Sequence, residues 1–108
     1  MSTRLPGARY KRIFDRGRSV KGRLLVAWFF ASDDADRQAG VVVSKKSFHD
    51  AVDRNRAKRI LREGFRLVAP ELAADADWVL IGRSTLAGKR TADVMDELRY
   101  VAKKCGLC

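Results

Sequence analysis

Between Asp53 and Arg66 the chain reads DRNRAKRILREGFR, setting six basic side chains (Arg54, Arg56, Lys58, Arg59, Arg62 and Arg66) against one interior acid, Glu63. At about 100° per residue, Ala57, Ile60, Leu61 and Val68 share one arc of a helix, while Arg54, Asn55, Lys58, Arg59, Arg62 and Arg66 fill an arc of roughly 140° beside it. The chemistry open to such a stripe is recognition of a polyanion. Guanidinium forks grip phosphate oxygens two at a time, and Asn55 adds an amide donor and acceptor. The plain alternative is a solvated face, since long charged side chains cover many helices. Solvated faces ordinarily mix signs at i,i+4, and six cations with one pairable acid do not, so the stripe reads as a polyanion-binding face.

Nothing comparable points to a protein-borne active site. His49 is the only histidine and has no Ser, Cys or second His constellation around it, so it reads as a surface or capping residue rather than a base. Asp33, Asp34 and Asp36 lie in a polar turn without the glycine and distal glutamate of a calcium loop. Cys105 and Cys108 form a CxxC with no second pair to complete a zinc site, and they follow a helix rather than open one, which leaves a non-functional tail as the reading. Phosphodiester hydrolysis on a polypeptide calls for clustered carboxylates or paired histidines, and neither is recognisable. No catalytic and no metal-binding residue is therefore assigned.

The elements that position the stripe fit one domain spanning all 108 residues, with flexible tails expected at about 1–7 and 105–108. A hydrophobic share of 46% suits a folded chain, and a net charge of +10 is large enough to weaken it unless an anionic partner neutralises it. RNA, DNA and anionic membranes all qualify on charge. No apolar run approaches a membrane span or a signal peptide, so a cytoplasmic location is expected.

In chain order, a helix is expected over Ala8–Arg16, closed by Gly17 and carrying Tyr10, Ile13 and Phe14 on one face. Arg18–Ser32 is extended with a bend at Gly22; both alternating sets of Leu24–Phe30 are apolar, so both sheet faces are covered, and Trp28 is ordinarily a core residue. Gly40–Ser44 is a β-branched strand that delivers Lys45 and Lys46 to its end. The basic helix follows, with Asp53 as N-cap and Asp50 as an equally placed alternative. Pro70 closes it, and Trp78–Ile81 reads as a buried strand. A last helix runs from Thr91, as N-cap, to about Lys104, with Val94, Leu98, Val101 and Cys105 as its apolar stripe. Strand, helix, strand around the basic helix implies a parallel pair, for which a right-handed crossover is the default.

Arg54-Asn55-Arg56, then Lys58-Arg59, Arg62-Glu63 and Phe65-Arg66, preceded by Val43-Ser44-Lys45-Lys46, resemble the linked motifs of the bacterial ribonuclease P protein subunit. The likeness runs from about Arg4 to Ala102. It departs after the Lys-Lys pair, where Ser47-Phe48-His49-Asp50 stands in place of the family's usual glycine. The resemblance implies an α-β-β-β-α-β-α two-layer α/β sandwich, mostly antiparallel with one parallel pair and a left-handed crossover. It implies the protein component of an endoribonuclease whose RNA subunit carries the chemistry, using Mg2+ bound mainly by that RNA to remove the 5′ leader of precursor tRNA; the polypeptide alone is not expected to cleave. Its partners would be ribonuclease P RNA and the leader, with no membrane and no DNA. Arg54, Asn55, Arg56, Lys58, Arg59, Arg62, Lys45 and Lys46 would contact the catalytic RNA and leader backbone. Tyr10, Phe14 and Trp28 would line the leader cleft; for Tyr10 and Phe14 the resemblance favours that role over burial. A small ribosomal or ribosome-associated RNA-binding protein is the alternative. A DNA-binding helix module fits less well, because a strand rather than a short-turn helix precedes the basic segment.

Overall fold

The computed structural model of the protein describes residues 7–32, 38–72 and 76–106. The elements are α1 (Gly7–Arg16), β1 (Arg18–Lys21), β2 (Leu25–Ala31), β3 (Ala39–Val42), α2 (Ala51–Val68), β4 (Ala76–Gly82) and α3 (Thr91–Cys105), with single 3-10 turns at Ala69–Glu71 and Ser84–Leu86. The sheet order is β1-β2-β4-β3; β2 runs antiparallel to both neighbours, while β3 pairs parallel with β4. This is the expected α-β-β-β-α-β-α order with its one parallel pair. The expected polar turn at 33–37, the segment 73–75, the first six residues, the side chain of Cys105, and Leu107 and Cys108 lie outside the described residues.

Strand alternation sends the two apolar sets to opposite faces. Leu25, Ala27 and Phe29 of β2 and Trp78 and Leu80 of β4 pack beneath α2 and α3 in the main core, joined by Leu61, Phe65, Val94 and Leu98. Trp78 is fully buried, its ring centroid 5.4 Å from that of Phe29 and 6.4 Å from that of Phe65. Burying large apolar side chains of this kind contributes about 1.5–3 kcal/mol each. The two helices over this face run side by side in the same direction: Arg56 meets Lys89, Gly64 meets Val94, and Glu71 meets Arg99. A Cβ on Gly64 would fall 2.6 Å from Val94 Cγ1, so this close approach requires glycine despite its cost inside a helix.

α1 crosses part of the other face. Ile13 is buried against Val79, and Tyr10, Trp28, Phe30 and Ile81 pack around that pair. Arg9 of α1 forms an ion pair with Asp77, the one buried charged residue among those described, which also accepts the Gln38 N–H at 3.1 Å. The bend at Gly22 is held from the opposite direction. One carboxylate, that of Glu97 on α3, accepts the backbone N–H groups of Arg23, Leu24 and Leu25 at 3.0, 2.8 and 2.9 Å.

Of the two caps open to α2, Asp50 is the one used: the helix begins at Ala51, so Asp53 lies in the first turn, where its charge faces the helix dipole. The earlier start follows from Phe48, which is buried and anchors the preceding turn, and from the Arg54 N–H, which reaches the Asp50 carbonyl at 3.0 Å. At α3 the cap is Arg90 rather than Thr91, because the Asp93 carboxylate three residues on accepts the Arg90 N–H at 2.8 Å.

Candidate functional site

Two surfaces on opposite sides of the sheet carry the residues singled out above. On the first, α2 buries Ala57, Ile60, Leu61, Gly64, Phe65 and Val68 and turns its remaining circumference outward. Asn55, Arg59 and Arg66 are exposed there; Lys58 and Arg62 are partly exposed. Glu63 reaches Arg66 at 3.5 Å, which leaves Arg59 and Arg62 as the cations flanking that pair.

Arg54 and Arg56 are engaged at the edges of this surface. The Arg54 guanidinium donates to the carbonyls of Phe48 and His49 at 3.0 and 2.8 Å, closing the turn between β3 and α2. That turn carries Lys45 and Lys46, both exposed, and is reinforced by the Ser44 hydroxyl, which accepts the Ser47 N–H at 3.1 Å. The sequence that replaces a glycine after the lysine pair thus forms its own ordered turn, with Phe48 as the apolar anchor. His49 is exposed and contributes its carbonyl.

The second surface is the sheet face under α1. Phe14 and Trp28 meet edge to face, with centroids 5.2 Å apart and planes at 73°. Phe14 remains 41% exposed, so its ring keeps a free side for stacking, while Trp28 and Tyr10 are half-buried. Tyr10, Phe14 and Trp28 therefore share one face, and Trp28 lies outside the main core. Four neighbours on this face escaped notice in the sequence. Phe30 carries the Arg12 guanidinium 4.9 Å above its ring, Gly40 lies under the Tyr10 ring, and Val42 and Ile81 are partly exposed strand residues. The parity shared by Trp28 and Phe30 was a usable signal for the first of these; nothing local pointed to the others.

Among the described residues no three His, Cys, Asp or Glu side chains gather as metal ligands, and Asp77, buried beside α1, is taken up by Arg9 and the Gln38 N–H. No helix among them is long and apolar enough to cross a membrane.

A cationic helix on one side of a small sheet and a cation-flanked aromatic face on the other define an RNA-binding α+β protein. The chain belongs to the ribonuclease P protein family, the protein component of the endoribonuclease that matures tRNA 5′ ends: the family model matches residues 5–106. It is 36% identical over 95 residues to the ribonuclease P protein component of Exiguobacterium sp. strain AT1b, covering 88% of this chain and 82% of that one. With the component from Clostridium acetobutylicum it shares 35% over 103 residues, covering 93% and 85%. Among solved structures, the RNase P protein of Staphylococcus aureus superimposes with a TM-score of 0.80 at 28% identity, over 99% of this chain and 98% of that one. That of Thermotoga maritima gives 0.79 at 28%, over 94% and 96%.

Proposed function

We propose that the two surfaces bind two RNA elements of one complex. The outward arc of α2 with its flanking turn forms the first: Asn55, Lys58, Arg59, Arg62, Lys45 and Lys46 engage the catalytic RNA and adjacent leader backbone through phosphates, and Arg54 and Arg56 take part at the two edges of the arc. Tyr10, Phe14 and Trp28 hold the single-stranded 5′ leader of precursor tRNA by stacking. The observation that carries this reading is the open Phe14–Trp28 pair on a sheet face remote from α2, since a single polyanion-binding stripe would not need a second, aromatic surface. Mg2+ supplies the water-activating chemistry at the RNA. The protein residues bind and orient, and their positive field lowers the local cost of gathering phosphates and magnesium at the cut site. The working location is the cytoplasm, where tRNA precursors are processed.

Reconstitution tests this. The purified protein is added to a bacterial ribonuclease P RNA at low magnesium, and 5′ cleavage is followed for precursor tRNA with a leader of several nucleotides and for one with almost none. Protein-stimulated cleavage together with tighter binding of the leader-bearing substrate is expected. RNA binding with cleavage unchanged would exclude the holoenzyme role, and stimulation indifferent to the leader would exclude the aromatic cleft.

A further inference from the structure

Arg54 and Arg56 leave α2 about 200° apart around the helix axis, one at each edge of the cationic arc. Arg54 fixes the turn bearing Lys45 and Lys46 to one edge. At the other edge, Arg56 donates to the carbonyl of Lys89 at 2.6 Å and so fixes the connection between β4 and α3. That connection is held throughout its length. Arg83 N–H reaches the Leu24 carbonyl at 2.9 Å, Leu86 is fully buried, and the Lys89 N–H reaches the Leu86 carbonyl at 3.1 Å. Gly88 supplies the reversal with φ 77°, and the Arg90 N–H is taken up by Asp93 at 2.8 Å. Lys89 and Arg90 are both exposed and follow directly from this frame.

We propose that Lys89 and Arg90 form a second flank of the RNA-binding face, the counterpart of Lys45 and Lys46, and that Arg56 is a positioning residue acting through them. The proposal rests on reading the α2 arc as the face that binds the catalytic RNA. The ligand is the phosphodiester backbone of structured RNA. Two adjacent long cations on an ordered loop suit phosphate oxygens, and in paired RNA the deep, narrow major groove keeps such side chains from the base edges. The backbone around them is ordered before the RNA arrives, so binding loses less conformational entropy than it would on a free loop. Acids are close by: Asp93, Asp96 and Glu97 line the groove that Lys89 borders. Lys21, Arg23 and Arg83 line it too, and the Glu97 carboxylate is closed off by three backbone N–H groups, so the field at the loop stays positive.

Affinity of the full chain for ribonuclease P RNA, measured across a salt series, tests both parts. The double variant Lys89→Ala/Arg90→Ala is expected to bind roughly tenfold more weakly and to lower the slope of log K against log salt by about 1–2, with its thermal melting unchanged. Arg62→Ala reports on the α2 face itself. If Arg62→Ala lowers affinity and slope while the double variant matches the parent, the second flank is overturned and the α2 reading stands; if neither variant differs from the parent, the α2 reading fails with it. A double-mutant cycle addresses Arg56. Arg56→Ala should weaken binding in the parent but cost less than about twofold more once Lys89 and Arg90 are gone. A full additive loss in that background would show that Arg56 grips phosphate directly and would overturn its positioning role.

Discussion

The ring of Tyr10 occupies the space that any side chain on Gly40 would need: a Cβ built there would collide with the Tyr10 hydroxyl and ring carbons. These two residues join α1 to β3, an edge strand of the sheet, and set the height at which α1 stands over the aromatic face. Gly40→Ala must lift Tyr10 away, since the Gly40 backbone is fixed by its parallel pairing opposite Val79. Loss of one stacking platform is worth about 1–3 kcal/mol per base. The preference for leader-bearing over leaderless precursor tRNA should fall at least fivefold, while affinity for the catalytic RNA alone should hold. Equal losses for both substrates would sink this placement of the cleft.

Arg9, the neighbour of Tyr10 in the first turns of α1, fastens that helix to Asp77. Asp77 is nearly fully buried and Arg9 about three-quarters so, with side-chain exposures of 6% and 26%. Removing one partner of such a pair leaves a buried charge without its counterion. Asp77→Ala is expected to cost about 2–4 kcal/mol in urea unfolding, and hydrogen exchange should show α1 opening before α2 and α3. Uniform weakening of all three helices would contradict a local fastening role.

Glu97 fastens the β1–β2 turn by accepting three consecutive backbone N–H groups. Substitution by alanine strands those donors beside an apolar core, which should destabilise the fold by about 2 kcal/mol. Because the turn carries none of the residues assigned to RNA contact, cleavage stimulation below the melting range should be little changed. A binding defect without a stability defect would place Glu97 in the recognition surface instead.

The Arg99–Glu71 pair gives a pH dependence. The hydrogen bond from Arg99, with its charge, holds the Glu71 carboxyl below its ordinary value of 4.5. A depressed carboxyl contributes its stability above the unfolded-state pKa and loses it as pH falls through the folded-state value. Parent and Glu71→Gln melting temperatures should therefore differ slightly at neutral pH and converge in the acid range below 4.5. The difference should be small, because both side chains are solvent-exposed, at 41% and 48%. A gap that widened on acidification would reverse the sign and refute the assignment.

Much of this molecule is legible along the chain. The order of helices and strands, the parallel pair around α2 and the outward basic arc follow from hydrophobic period and breaker residues, which act over a few neighbours. The linked Val-Ser-Lys-Lys and Arg-Asn-Arg motifs carried the family as well. Local pattern defines the helix starts less sharply: α3 opens one residue before Thr91, where the Asp93 carboxylate accepts the Arg90 N–H, and α2 takes Asp50, one of its two candidate caps, behind buried Phe48.

Helical periodicity thus determined which residues of α2 face outward, because side-chain direction in a helix is fixed by 3.6 residues per turn whatever surrounds it. It did not determine what the edges of that arc touch. On the same wheel Phe65 falls within about 20° of Arg54, and packing buries it completely, which turns Arg54 toward the carbonyls of the neighbouring turn. Only the tertiary structure brings Lys89 to Arg56 across 33 residues and Asp77 to Arg9 across 68. Those meetings depend on sheet order and on which face of the sheet each helix covers. Both are settled by burial of the whole core and leave no mark in any short stretch of sequence.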